Sequence, residues 1–279
     1  MGSAGVKRIV SVSGGKDSTA MYLWAMESFG NDFLAVFADT GHEHPVTLNY
    51  VRNLPAMAKG PAVHWTKADL TEPLKRKELA RSDSPFFDML MVKGMMPSGN
   101  KQFCTTVLKL EPIRAWIETV RGDDDVFIYL GIRAQESAKR AKLPPKEFSE
   151  FYDAEVIRPI LNWKIEEVFE IHKKHGIEPN PLYANGMSRV GCFPCINANK
   201  MDLRTLPDWA WDKIRKWEQS LGVPWFKPGL VPGTQGCPTI DQVREWCHTE
   251  RGAKFLDVNS FVKETNDVPS CMSTWGACE

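Results

Sequence analysis

The sequence predicts an α/β protein: a parallel sheet with helices on both faces, followed by a smaller, mainly helical C-terminal region that carries cysteines. Three observations predict it. Short apolar runs rich in β-branched residues alternate with amphipathic stretches through the first two-thirds of the chain. Glycine-bearing polar turns follow several of those runs. After Cys195 the alternation stops, and tryptophan-rich helical stretches joined by Pro/Gly loops replace it. Strands that are apolar along their whole length must be covered on both faces, which is the condition of a parallel sheet. Ligands of such sheets sit outside the carboxyl ends of the strands.

The elements follow in order. Val6 to Ser13 reads as the first strand, turning at Gly14-Gly15 into a helix from Asp17 to Ser28. Phe33 to Phe37 reads as the second strand, followed by the polar turn Asp39-Thr40-Gly41-His42-Glu43 and a helix from about Pro45 to Ala58. Ala62 to Trp65 is a third candidate strand, and Asp125 to Leu130 a stronger one, ending in Gly131-Ile132-Arg133. Between them, Pro85 to Lys101 reads as a helix and then a loop before Cys104. The charged, proline-broken run from Lys139 to Glu150 reads as an exposed loop near the mouth of the site. Ile165, Val168, Phe169 and His172 give Trp163 to His175 one apolar helical face, and Pro207 to Leu221 and Thr239 to Arg251 are the later helices. The expected division is an α/β domain over 1–190 and a helical, cysteine-rich region over 191–279.

Lys+Arg and Asp+Glu number 35 each, so no global positive field draws a polyanion, and any nucleic-acid surface has to come from local clustering. No run of about 18 apolar residues occurs and the N-terminus lacks the apolar core of an export signal. The expectation is a cytoplasmic protein with no membrane partner. Seven cysteines, an odd number in a chain without an export signal, favour thiolate, metal or cluster chemistry over a disulfide framework.

Ser13-Gly14-Gly15-Lys16-Asp17-Ser18 has the composition of an anion cradle. Adjacent glycines let main-chain N–H groups approach an anion, the following helix presents its positive end, Lys16 adds a charge, and Ser13 and Ser18 add hydroxyls. The spacing is not Gly-x4-Gly-Lys-Ser/Thr. Asp39, at the end of the second strand, could position Mg²⁺ or hydrogen-bond a nucleotide, with Thr40 beside it. Equally, it could close an Asx turn that starts the next helix; the two roles are compatible. Arg133 and Arg140 carry planar forked donors suited to anionic oxygens. Glu136 could bridge them, hold a metal, or pair with Arg140 at i,i+4. Cys192 and Cys195 form a C-x-x-C, a spacing used for zinc, iron–sulfur clusters and dithiol redox chemistry alike, and Cys104 is a third thiol that the fold could bring to them. A fourth would complete a four-thiolate site for an iron–sulfur cluster or zinc. Cys271 is the first candidate for it, with Cys237 and Cys278 next. Cys247 reads as a buried helix residue, the tryptophans as packing, and the six histidines show no metal-ligand spacing.

Ser13 to Ser18 resembles the PP-loop, SGGxDS, of ATP pyrophosphatases, which split ATP between the α and β phosphates. Phe37 to Thr47 resembles the DTG-containing second motif of the phosphoadenosine phosphosulfate (PAPS) reductase family. Gly131 to Ser137 with Arg140 is similar to that family's G-x-R-x-x-E-S-x-x-R segment. Pro159 to Trp163, Asn180 to Tyr183 and Gly191 to Cys195 are similar to its PI-x-x-W, NPLY and GCxPC elements, in family order. The resemblance implies an adenine nucleotide α-hydrolase-like fold and an adenine nucleotide held by Ser11, Ser13, Gly14, Gly15, Lys16, Asp17, Ser18, Asp39, Thr40, Gly131, Arg133, Glu136 and Arg140. Lys16, Asp39 and Arg133 are then the expected catalytic residues. The implied cofactors are ATP, Mg²⁺ and a [4Fe–4S] cluster on Cys104, Cys192, Cys195 and Cys271, with Zn²⁺ as the alternative ion.

Cluster-bearing sulfonucleotide reductases carry an adjacent Cys-Cys pair, whereas Thr105 follows Cys104 here; the tail also lacks their ECG-x-H arrangement around Cys278. The pattern is closer to the PP-loop iron–sulfur enzymes of DNA phosphorothioation. That branch implies adenylation of an acceptor, nucleic acid in kind, followed by sulfur transfer. A sulfur donor such as a cysteine desulfurase and a homodimer complete the expected partners. The alternatives are a sulfonucleotide (PAPS or APS) reductase that releases sulfite and a non-catalytic, nucleotide-binding Fe–S subunit.

Overall fold

The computed structural model describes residues 5–99 and 101–249. Strands β1 (Val6–Ser11), β2 (Leu34–Asp39), β3 (Val63–Lys67), β4 (Asp125–Tyr129), β5 (Lys146–Ser149) and β6 (Ala154–Ile157) form one sheet in the order β3-β2-β1-β4-β6-β5. Every pairing is parallel except that of β5 with β6. The helices are α1 (Lys16–Phe29), α2 (Pro45–Ala58), α3 (Thr71–Lys75), α4 (Pro85–Lys93) and α5 (Phe103–Thr105), which continues through a π-helical turn at Thr106–Leu110 into α6 (Glu111–Arg121). They are followed by α7 (Ile165–His175), α8 (Lys200–Arg204), α9 (Asp208–Leu221) and α10 (Ile240–Cys247).

Alternation along each strand sends successive side chains into different cores. Val10, Ala35, Phe37 and Tyr129 pack under α1, α2 and α7 with Tyr22, Leu54 and Val168. Their neighbours Ile9, Val36, Ala38 and Ile128 pack on the other face against Ile113 and Ile117 of α6. A third core joins Leu74, Phe86, Met89 and Leu108 to Trp211, Ile214, Trp217, Trp225 and Val243, so α9 and α10 share their apolar interior with residues that precede α6. Most of the tryptophans of this region are packing residues; Trp211 is fully buried, and truncating a side chain of that size costs about 3–5 kcal/mol.

One stretch departs from the expectation. Lys139 to Glu150 is not an open loop throughout, because Lys146–Ser149 is an antiparallel edge strand. The cause is Arg158 after β6, whose buried guanidinium pairs with Glu147 and donates to the Pro144 carbonyl at 2.8 Å. No helix among the described residues is long and apolar enough to cross a membrane.

Candidate functional site

The loop after β1 is held from several sides. Gly14 has φ +83, and a Cβ there would lie 2.8 Å from Thr47 Cγ2, so both backbone and space demand glycine. Gly15, the N-cap of α1, has an ordinary extended backbone at φ −81. Within the loop, Ser13 N–H donates to Ser18 Oγ at 3.1 Å and Gly15 N–H to Ser13 Oγ at 3.4 Å. Lys16 N–H donates to the Tyr183 hydroxyl at 3.0 Å, and Asn180 Nδ2 donates to the Gly14 carbonyl at 3.1 Å. His172 Nε2 lies 2.8 Å from the Lys16 carbonyl. Three main-chain amides of the loop thus donate to hydroxyl oxygens of Ser18, Ser13 and Tyr183.

Asp17 is fully buried beneath this loop, between Lys16 Nζ at 2.7 Å and the Arg133 guanidinium. Burial alone would raise its carboxyl; the charges of Lys16 and Arg133 outweigh that and hold it below its ordinary value. Gly131 explains how Arg133 gets there. A Cβ on Gly131 would lie 2.8 Å from the Asp17 carbonyl oxygen and 2.9 Å from Ser18 Cα, so the end of β4 seats directly on the first turn of α1. Arg133 N–H donates to Glu136 Oε2 at 2.9 Å, and that carboxylate also pairs with Arg140, which is buried. Of the readings open for Glu136 and Arg140, the i,i+4 pair is the arrangement in this structure.

Asp39 Oδ1 accepts from Gly41 N–H at 2.9 Å, the Asx-turn geometry, at the carboxyl end of β2. Next to it Glu43 is buried and accepts from Thr40 Oγ1 at 2.6 Å, from Thr40 N–H at 3.1 Å and from His42 N–H at 3.2 Å. Burial pushes the Glu43 carboxyl up, against the opposing charge of Lys109. His42 is packed on Phe86 and Trp217, with Nε2 3.0 Å from the Pro194 carbonyl.

The thiol segment lies against this second loop. Glu43 and Cys192 form an isolated antiparallel bridge, and Phe193 N–H donates to the His42 carbonyl at 2.6 Å. Cys192 Sγ is 3.9 Å from Thr40 Oγ1. Cys104, Cys192 and Cys195 line one cavity together with Thr40, Lys109 and Asn197. The fold thus brings to one place three thiols separated by up to 91 residues in sequence. Among the described residues no three Cys, His, Asp or Glu side chains are grouped so as to hold a metal ion. The donor chemistry at the cavity suits a thiolate-ligated ion or cluster. Cys271 and Cys278, two of the candidates for a fourth ligand, lie outside the described residues; Cys237 is exposed and does not line the cavity. Cys247 is buried in α10, where burial pushes its thiol up to about 11.

Several residues of the site carry no motif that reading from residue chemistry alone would select. Lys109 is buried beside Glu43, and its signal is a lone charge inside the apolar run from Val107 to Leu110. Lys213 donates to the Phe193 carbonyl at 3.1 Å with Nζ 5.4 Å from the ring centres of both Trp209 and Trp217. Burial lowers it to about 8, despite the attraction of Glu43 and Cys192. Its signal is a lysine flanked at four residues on either side by tryptophan.

A phosphoadenosine phosphosulfate reductase domain matches residues 7–198, the span that holds the loops just described, with Lys213, Cys237 and Cys247 beyond it. The chain belongs to the PAPS reductase family. An uncharacterized 37.8 kDa protein of Escherichia phage 186 is 35% identical over 97% of this chain and 96% of its own length. An uncharacterized Methanocaldococcus jannaschii protein is 28% identical over 80% of this chain, which spans 45% of that relative's length. Adenosine 5'-phosphosulfate reductase of Allochromatium vinosum is 31% identical over 46% of this chain and 48% of its own. The crystal structure of PAPS reductase from Candida auris, a phosphate complex, is 20% identical and covers 69% of this chain and 83% of that one, with a TM-score of 0.47. Within the PAPS reductase family, this chain has a single cysteine, Cys104, followed by threonine in the central segment.

Proposed function

We propose that this protein binds Mg·ATP in the loop from Ser13 to Ser18 and adenylates an acceptor, nucleic acid in kind, to prepare it for sulfur transfer. The observation that carries this reading is the contact of the second nucleotide loop with the thiol segment: Thr40 and Cys192 are 3.9 Å apart and line one cavity. On this reading nucleotide and sulfur chemistry meet at the Asp39–Glu43 loop, at the carboxyl end of β2, which the thiol segment touches.

The pyrophosphate portion would lie on the amides of the loop, with Lys16 and Arg133 offsetting charge that grows on the phosphates and Asp39 and Thr40 flanking the nucleotide. An acceptor oxygen attacks the α phosphorus, the bond from that phosphorus to the α–β bridging oxygen breaks, and pyrophosphate leaves. The outer sulfur of a persulfide, brought by a donor such as a cysteine desulfurase, then attacks the activated atom and AMP leaves. A second thiol attacks the donor-side sulfur of the resulting acceptor–S–S–donor link, releasing the thiolated acceptor and leaving a disulfide that an external dithiol reduces. A [4Fe–4S] cluster, or alternatively zinc, would be held by Cys104, Cys192 and Cys195 with Cys271 as the fourth ligand, and a cluster would supply or hold the sulfur to be moved. Lys109 and Lys213 put positive charge beside these thiols.

The second reading is sulfonucleotide reduction at the same site, favoured by the likeness to Allochromatium vinosum adenosine 5'-phosphosulfate reductase. Two assays side by side separate the readings. Pyrophosphate released from ATP in the presence of DNA or tRNA supports adenylation; sulfite released from PAPS or adenosine phosphosulfate without pyrophosphate replaces it with reduction. Iron, sulfide and zinc analysis after anaerobic purification tests the thiol site. About four irons with acid-labile sulfide supports the cluster, and one zinc without sulfide overturns it.

A further inference from the structure

Lys16 opens α1, so its N–H is one of the first four of the helix with no acceptor inside it, and it points to where an anion would bind. In this structure its acceptor comes from far along the chain. The Tyr183 hydroxyl takes it at 3.0 Å, while the Lys16 ammonium lies 5.4 Å from the centre of the same ring. The loop's other two capped amides are served by its own serines. Tyr183 is aimed by a tight turn: its N–H donates to the Asn180 carbonyl at 3.0 Å, Leu182 N–H donates to Asn180 Oδ1 at 3.1 Å, and Asn180 itself is tied to Gly14.

We propose that the Tyr183 hydroxyl is a built-in competitor for the nucleotide, standing where a phosphate oxygen belongs and leaving the Lys16 amide when the nucleotide arrives. This rests on the nucleotide reading of the loop. An ionised phosphate oxygen is a stronger acceptor than a neutral phenol, so the exchange favours the nucleotide. The exchange asks for a change of the Tyr183 side-chain rotamer and not for opening of the turn at Asn180, whose own bonds do not involve the hydroxyl. An interaction present only in the ligand-free form lowers the apparent affinity by the same factor by which it stabilises that form.

Tyr183→Phe keeps the ring under Lys16 and removes only the hydroxyl. Titration calorimetry with ATP and with inorganic pyrophosphate, and thermal unfolding with and without ATP, read the result. Tyr183→Phe is expected to bind ATP about two- to tenfold more tightly than the wild type, the equilibrium worth of one net hydrogen bond. Its ligand-free Tm is expected to fall below the wild-type value, and the two are expected to converge at saturating ATP. Unchanged or weaker binding by Tyr183→Phe overturns the proposal. Tyr183→Met, which also lacks the hydroxyl, must move affinity in the same direction and serves if the Phe variant does not fold. Lys16→Ala keeps the two readings apart. If the wild type binds ATP and Lys16→Ala binds it more weakly, but Tyr183→Phe binds it no more tightly, only the competitor fails. If the wild type takes up no ATP or pyrophosphate, the nucleotide reading itself fails and the competitor with it.

Discussion

The Arg133 guanidinium closes on the buried carboxylate of Asp17 from the end of β4, although 116 residues separate the two in sequence. Together with Lys16 it keeps that carboxyl below its ordinary value against the cost of burial. Arg133→Ala leaves a buried charge without its fixed partner and is expected to destabilise the fold by about 3–5 kcal/mol in urea unfolding at neutral pH. Pairing it with Asp17→Asn should recover part of the loss. Because the folded value is depressed, the pair's contribution is full above the unfolded carboxyl value and disappears as pH falls through the folded one. The gap between wild type and the double variant should therefore narrow only in acid.

Gly131 tests how closely β4 and α1 must meet. The atoms facing a Cβ there are main-chain atoms of Asp17 and Ser18, which cannot rotate away. Gly131→Ala is expected to cost about 1–3 kcal/mol by denaturant unfolding and, on the proposed function, to weaken ATP binding, because the displaced turn follows directly on the Ser13–Ser18 loop. A variant with wild-type stability and affinity would show that the first turn of α1 is free to shift.

Lys213 gives a pH signature of the opposite kind. Burial lowers its folded value to about 8 from 10.5, so between those values the unfolded chain holds a proton that the folded chain has released. Stability from this group therefore rises with pH from about 8 to 10.5, by about 3 kcal/mol at most. In metal-free protein, Lys213→Met should abolish that rise while keeping an apolar chain between Trp209 and Trp217. Denaturant unfolding at pH 7.5, 9 and 10 checks it, with the wild type gaining on the variant as pH climbs.

Cysteine labelling separates the thiols by environment. Cys237 is exposed, whereas Cys247 is fully buried, donates to the Arg244 carbonyl at 3.1 Å and has its thiol pushed up to about 11 by burial. Iodoacetamide at pH 8 is expected to modify Cys237 quickly and Cys247 only after unfolding, as read by peptide mass mapping.

The sheet-to-helix corners were legible in the sequence because each is encoded locally. An apolar run, a glycine turn and a helix start at Ser13–Ser18 need no distant partner to be recognised. The edge strand at Lys146–Ser149 was not legible, since its support is the guanidinium of Arg158 beyond the following strand. The same distinction runs through the site. Gly14 and Cys192 announce themselves by spacing, whereas the hold of Tyr183 on Lys16 spans 167 residues and that of Lys213 on Phe193 joins separate elements. Asn180 and Tyr183 stand in a family-like Asn-Pro-Leu-Tyr stretch, but their contacts with Gly14 and Lys16 are tertiary and leave no local mark.

The bridge between Glu43 and Cys192 has a longer consequence. It is made of peptide groups, so it is indifferent to which side chains flank it. Drift in the surrounding residues can alter the charge and polarity around Cys192 while its main chain stays anchored beside the loop that follows β2. Chemistry can be exchanged there without rebuilding the scaffold that holds the segment.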